Sequence, residues 1–204
     1  VTKTMLIIKS IIFSFFNIRQ GMLAVIRFLF PLNLFLGAFL LFSIQPMAAK
    51  VLLPLYGGAP EIWTVCMLFF QGILLMAYAY ISLFPLIRKV RMWSLLHLSL
   101  ISCSLFVIPI FFHPTLLSPQ PQFNILFNLL LQLGLPLLVV GSSAPLLQFL
   151  YSQTTNKGSS DPYFLYSASN LGSLIALLSY PWLIEQFIGL DKQFQIWNIL
   201  YLIY

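Results

Sequence analysis

Acidic side chains are nearly missing from this sequence: 204 residues hold only four Asp and Glu. Ten Lys and Arg bring the charged fraction to 7%, against about 25% in a typical soluble domain. A soluble fold of this size could not cover its surface with so few ions, which excludes an ordinary cytosolic enzyme. Cysteine is also scarce. Cys66 and Cys103 each stand alone in an apolar run, so neither a disulfide framework nor a metal-binding Cys spacing is present. What the chain has in excess is apolar surface, at 60% hydrophobic residues and a mean hydropathy of +0.97. That excludes disorder and leaves a multi-pass membrane protein.

The net charge is +6. Nucleic-acid binding needs a basic patch, but here the basic residues sit between long neutral runs. Residues 28–49, 62–87, 92–156, 162–184 and 193–204 carry no Asp, Glu, Lys or Arg. The charges therefore flank membrane spans. The lipid bilayer is the implied partner, and nucleic acid is not.

A spanning helix needs about 20 mostly apolar residues. The expected spans are 27–47, 62–84, 92–112, 123–151 and 162–184, with a partial sixth at 194–204. The fold class is an all-α, multi-pass transmembrane bundle of five to six spans. Residues 1–22 read as an apolar and basic leader or an interfacial helix, with Met22 an alternative start, and residues 23–204 as the membrane domain. The last apolar segment, about 16 Å long as a helix, is either a truncated span or one that docks without crossing. Lys and Arg bias sets orientation. Lys3, Lys9, Arg19, Arg27, Arg88, Lys89, Arg91 and Lys157 fall on one side, and only Lys50 and Lys192 on the other. The N-terminus is therefore expected in the cytoplasm.

Several positions inside or beside the spans stand out. The fourth segment holds Gly134, Pro136, Gly141, Ser142, Ser143 and Pro145, so a kinked or broken helix is expected. Broken helices mark substrate sites in some transporters, but a Pro kink more often only aids packing. Asp161-Pro162 is a helix start signal for the fifth segment. Ala168, Gly172 and Ala176 follow at four-residue spacing, a small-residue stripe that admits a close neighbour. Tyr166 and Asn170 share an adjoining face, where Asn170 serves either as interhelical glue or as the lining of a polar cavity. Gln71 lies mid-span in the second segment and is expected to pair with a neighbour. A short Pro- and Gly-rich stretch, 51–61, containing Gly57 and Gly58, reads as an interfacial or re-entrant connection. Lys50 before it either snorkels to the surface or joins Glu61 in holding a charged ligand. His97 reads as structural. No His, Cys and carboxylate cluster has metal spacing, and neither a phosphate-binding Gly-rich loop nor a nucleophile elbow is present. The residues point to no catalytic site, no metal and no cofactor.

Three stretches carry a resemblance. They are Leu41 to Pro46 continuing through Leu55-Tyr56-Gly57-Gly58 to Trp63-Thr64, then Ser142 to Gln148, then Asp161 to Ser173. Together they resemble the membrane domain of bacterial fused transporter-like/spermidine-synthase-like proteins, from about Phe35 onward. In that family a soluble aminopropyltransferase-like domain with a Rossmann-like fold follows the membrane helices; its cofactor-binding motifs do not occur in this sequence. The resemblance implies a bacterial inner-membrane location and a separate synthase-like domain or other membrane helices as partners. It marks Gln45, Pro46, Gly57, Gly58, Ser143, Pro145, Gln148, Asp161, Pro162, Tyr166, Asn170 and Gly172 as candidates for a shared structural or ligand site. The leading expectation is a membrane module without catalysis of its own, an anchor or part of a larger or shortened protein. The alternative is a transporter-type bundle for a small solute, such as an amine.

Overall fold

In a computed structural model of the chain, residues 2–83, 90–115, 117–152 and 163–204 are described; for 2–27, 90, 91, 94 and 152 this covers the backbone alone. Every regular element among them is helical. In chain order they are α1 (Thr2–Tyr56), α2 (Pro60–Ser82), α3 (Val90–Leu105), α4 (Pro121–Ser152), α5 (Tyr163–Ser179), a π-helical turn (Tyr180–Ile184), a short α6 (Glu185–Phe187) and α7 (Leu190–Ile203). Three helical stretches are long and apolar enough to cross a membrane: Phe28–Tyr56, Pro60–Ser82 and Pro121–Tyr151. Helical backbone also runs without a break from Tyr163 to Phe187.

The first helix does not end near Met47. It continues through Pro46 and Pro54 to Tyr56, so 51–56 is helix rather than an interfacial or re-entrant connection. A Pro removes one hydrogen bond, and tight packing of Met47, Ala48 and Leu52 in the core keeps the helix going past that loss. The helix stops at Gly57, which adopts φ +82° and donates its N–H to the Leu53 carbonyl at 2.8 Å. A left-handed residue at this place ends a helix, and glycine takes that conformation without a Cβ penalty. Pro60 then opens α2 at once, which makes a tight helical hairpin.

The fourth segment is one helix of 32 residues, with Pro136 and Pro145 inside it, and is not broken. Two stripes on α4 account for its role. Ile125, Leu129, Leu133 and Leu137, spaced by four, are fully buried in the main core with Leu40 and Ile44 of α1 and Phe69 and Ile73 of α2. One position earlier run Asn124, Asn128 and Gln132, also spaced by four.

Those amides explain the fate of the third segment. Helix α3 ends at Leu105 and not near Phe112, because Pro109 cannot continue it. Among the described residues from 106 to 120 none is in a regular helix. Its backbone is satisfied by side-chain amides instead. The Gln132 amide accepts from His113 N–H at 3.0 Å and donates to the His113 carbonyl at 3.1 Å. Asn128 does the same for Thr115, both at 2.8 Å. The Asn124 Oδ1 accepts from Leu117 and Ser118, both at 2.9 Å, and its Nδ2 donates to the Ser118 carbonyl at 2.7 Å. Asn198 of α7 treats Ile110 likewise, at 2.9 and 3.1 Å. The segment therefore lies antiparallel along the first turns of α4, paired as if to a neighbouring strand.

The small-residue stripe on α5 meets α1 as expected. Gly172 and Ala176 are buried, and a Cβ at Gly172 would sit 2.2 Å from the Phe35 carbonyl oxygen. Helix α7 docks on the bundle: Trp197 Nε1 donates to the Leu40 carbonyl at 2.9 Å, and the Tyr201 hydroxyl is 2.7 Å from Ser104 Oγ.

Two measurements check this packing. Gly172→Ala forces α1 and α5 apart and is expected to cost about 1–3 kcal/mol or more in detergent-solubilised protein. Gly72→Ala, with nothing within 4 Å of the new methyl, is expected to leave the melting temperature unchanged. Asn128→Leu strips Thr115 of partners for both backbone groups and is expected to lower stability by about 1–3 kcal/mol per orphaned group. Leu131→Ala on the exposed face of α4 serves as the neutral comparison for thermal denaturation.

Candidate functional site

Prolines shape the main cavity. Pro46 leaves the Phe42 carbonyl without its helical donor, and Pro54 does the same for Lys50. On the facing element Pro181 does so for Leu177. There the helix widens into the π turn, whose closing bond runs from Glu185 N–H to the Tyr180 carbonyl. Single π turns occur often at functional sites. Phe42, Pro46, Lys50, Leu177 and Pro181 all line one cavity of about 700 Å³. Trp63, Met67, Phe70, Gln71 and Leu74 of α2 supply its third wall. The volume falls within the usual range for small-molecule sites, and the walls are mostly apolar.

Its charged end is an ion pair. Lys50 Nζ lies 3.3 Å from Glu185 Oε1, and both side chains are partly exposed. Tyr180, buried beside them, donates its hydroxyl to Gln193 Oε1 at 3.2 Å, and Gln193 Nε2 donates to the Ile188 carbonyl at 2.7 Å. The π turn is thereby fastened to α7.

A smaller cavity of about 140 Å³ lies between α1, α2, α4 and α5, lined among others by Asn33, Gly37, Tyr78, Ser143 and Ser169. Asn33 Nδ2 donates to the Tyr204 carbonyl at 3.2 Å, and the Tyr204 hydroxyl donates to Ser143 Oγ.

Of the residues singled out from the sequence, Gln45, Lys50 and Gln71 come together in the large cavity. Ser143 belongs to the small one. Pro145 and Gln148 lie half-buried further along α4, and Gly172 serves the α1–α5 contact. Gly57 and Gly58 form the exposed turn, while Tyr166 and Asn170 are exposed on the outer face of α5. Asp161, with Pro162, lies outside the described residues. Lys50 neither points free to the surface nor joins Glu61. Because α1 runs on to Tyr56, Lys50 sits about 9 Å short of the helix end, where Glu185 meets it. His97 stacks against Tyr80 with ring centroids 6.2 Å apart, a structural place.

Sequence reading passed over Glu185, Tyr180 and Pro181; a Pro four residues before a Glu at the end of an apolar run was the available signal. It also passed over Asn124, Asn128 and Gln132, whose four-residue spacing inside an apolar helix was legible. Among the described residues no three His, Cys, Asp or Glu are grouped to hold a metal ion. Comparison with protein-family models, curated proteins and solved structures finds no match to the chain.

The ion pair has a direct check. Lys50→Glu and Glu185→Lys each place like charges together and are expected to lower stability by about 1 kcal/mol. The double exchange restores opposite charges, and thermal melts should show it recovering most of that loss.

Proposed function

We propose that the chain is the integral membrane module of a spermidine-synthase-like membrane protein, acting as an anchor without catalysis of its own. It works together with a synthase-like domain or with further membrane helices. The observation that carries this reading is the outward polar face of α5. Asn170 and Tyr166 are exposed there, with Ser167 exposed beside them. An amide facing lipid is costly, whereas a neighbouring helix can satisfy it. Residues that carry the family resemblance support the same reading. Gly172 and Ser143 serve contacts between elements and do not gather into a reaction centre.

The module has five to six spans with its N-terminus in the cytoplasm. Contacts of Phe35 with Gly172 and of Lys50 with Glu185 make α1 and α5 parallel, as first and fifth spans of an alternating bundle must be. The Lys and Arg bias supports the orientation. The solute-path reading leans on a broken fourth helix and a polar cavity around Asn170. Since α4 is continuous and Asn170 faces outward, neither observation supports it.

Membrane fractions washed with alkaline carbonate should retain the chain. Reporter fusions after Arg91 should read cytoplasmic, and fusions after Gln122 should read external. Release into the wash, or an external signal after Arg91, overturns the proposal. The purified chain given a diamine and an aminopropyl donor should yield no polyamine.

A further inference from the structure

The large cavity opens sideways between α1, α2 and the π turn, through exposed Trp63, Met67 and Leu177. On the membrane reading above, on which this inference rests, such an opening faces lipid. Its two ends differ. Lys50 and Glu185 stand at one end, while Phe70 and Leu74 form an apolar floor at the other. Gln45 lies between, about 7.5 Å along α1 from Lys50.

We infer that this groove binds a phospholipid whose head group carries a primary ammonium, of the phosphatidylethanolamine class. The charges match in both sign and spacing. Lys50 and Glu185 touch through a single pair of atoms, so each can turn to an opposite charge on the ligand. Lys50 receives the phosphate. Glu185 receives the ammonium and accepts its N–H groups. The Gln45 amide is placed to donate to an ester carbonyl, and an acyl chain lies along Phe70 and Leu74. An anionic lipid leaves Glu185 without a partner and brings it a like charge. A choline head group has no N–H to donate.

Native mass spectrometry of the full chain in detergent, with defined lipids added, tests this. Phosphatidylethanolamine should bind about tenfold more tightly than phosphatidylglycerol or phosphatidylcholine of the same acyl composition. Glu185→Gln should bring the ethanolamine and choline lipids within about twofold of each other. Lys50→Met should weaken all three phospholipids. The double variant Lys50→Met/Glu185→Gln, which leaves no unpaired charge, should lose the selectivity while keeping the helical circular dichroism. Leu131→Ala should behave as wild type. Equal binding of the three lipids by the wild-type protein overturns the proposal. So does selectivity that survives in the double variant. Displacement of the lipid by free ethanolamine or a diamine at millimolar concentration would identify a soluble-amine site and also overturn it. A chain that washes off membranes fails the membrane reading, whereas an integrated chain without lipid selectivity fails only this inference.

Discussion

Inside a bilayer every backbone N–H and C=O needs a partner supplied by the protein. Helices meet that demand locally, and most of this chain is helical for that reason. The segment after Leu105 cannot, because Pro109 stops the helix and Pro114, Pro119 and Pro121 follow. The amides of Asn124, Asn128, Gln132 and Asn198 take over the missing pairing. This one arrangement constrains much else. It requires α4 to remain a regular helix through its first three turns, since only four-residue spacing keeps the amides in one row. It also fixes the neighbouring stripe, Ile125 to Leu137, toward α1 and α2. Pro136 and Pro145 are then tolerated in a helix held on two sides.

The α1–α5 pair shows packing and opening on the same two elements. Near Phe35 the helices touch backbone to backbone at Gly172, a distance that no side chain permits. Further along, Phe42, Pro46 and Lys50 of the first helix and Leu177 and Pro181 across from them line the large cavity. Gln193 ties the π turn to α7, so hydrogen bonds fix this wall of the cavity. Close approach at one end and a cavity further along the same two elements place the ion pair beside the cavity.

Much of this was legible in the sequence. Neutral runs and hydropathy located the helices that became α1, α2 and α4, and the Ala168, Gly172 and Ala176 spacing found the face of α5 that meets α1. Boundaries were harder. Pro46 and Pro54 looked like an end of the first helix, yet core packing carried it to Tyr56; the third span was expected to reach 112, yet Pro109 inside it ended α3 at Leu105. A proline's effect depends on what surrounds it, and that is tertiary information. The same limit hid the site. Gln45, Lys50 and Gln71 were each visible, but their convergence depends on a parallel α1–α5 pair and on Glu185, which is 135 positions from Lys50. The amide row was readable as spacing; its partner, an extended segment, was not.

The amide row also behaves as a vernier. Four residues of helix advance about 6.0 Å, whereas two residues of extended chain advance about 6.6–6.8 Å, so successive rungs drift out of step. Three rungs are roughly what such a mismatch allows. The side chain with an extra methylene, Gln132, stands at one end of the row, and the Asn124 oxygen is shared between two successive N–H groups at the other. Beyond Gln132 a different helix supplies the next amide, Asn198. A scale that closes at only one setting makes the extended segment intolerant of a residue inserted or deleted between rungs, which would turn the rungs beyond it to the wrong side of the chain.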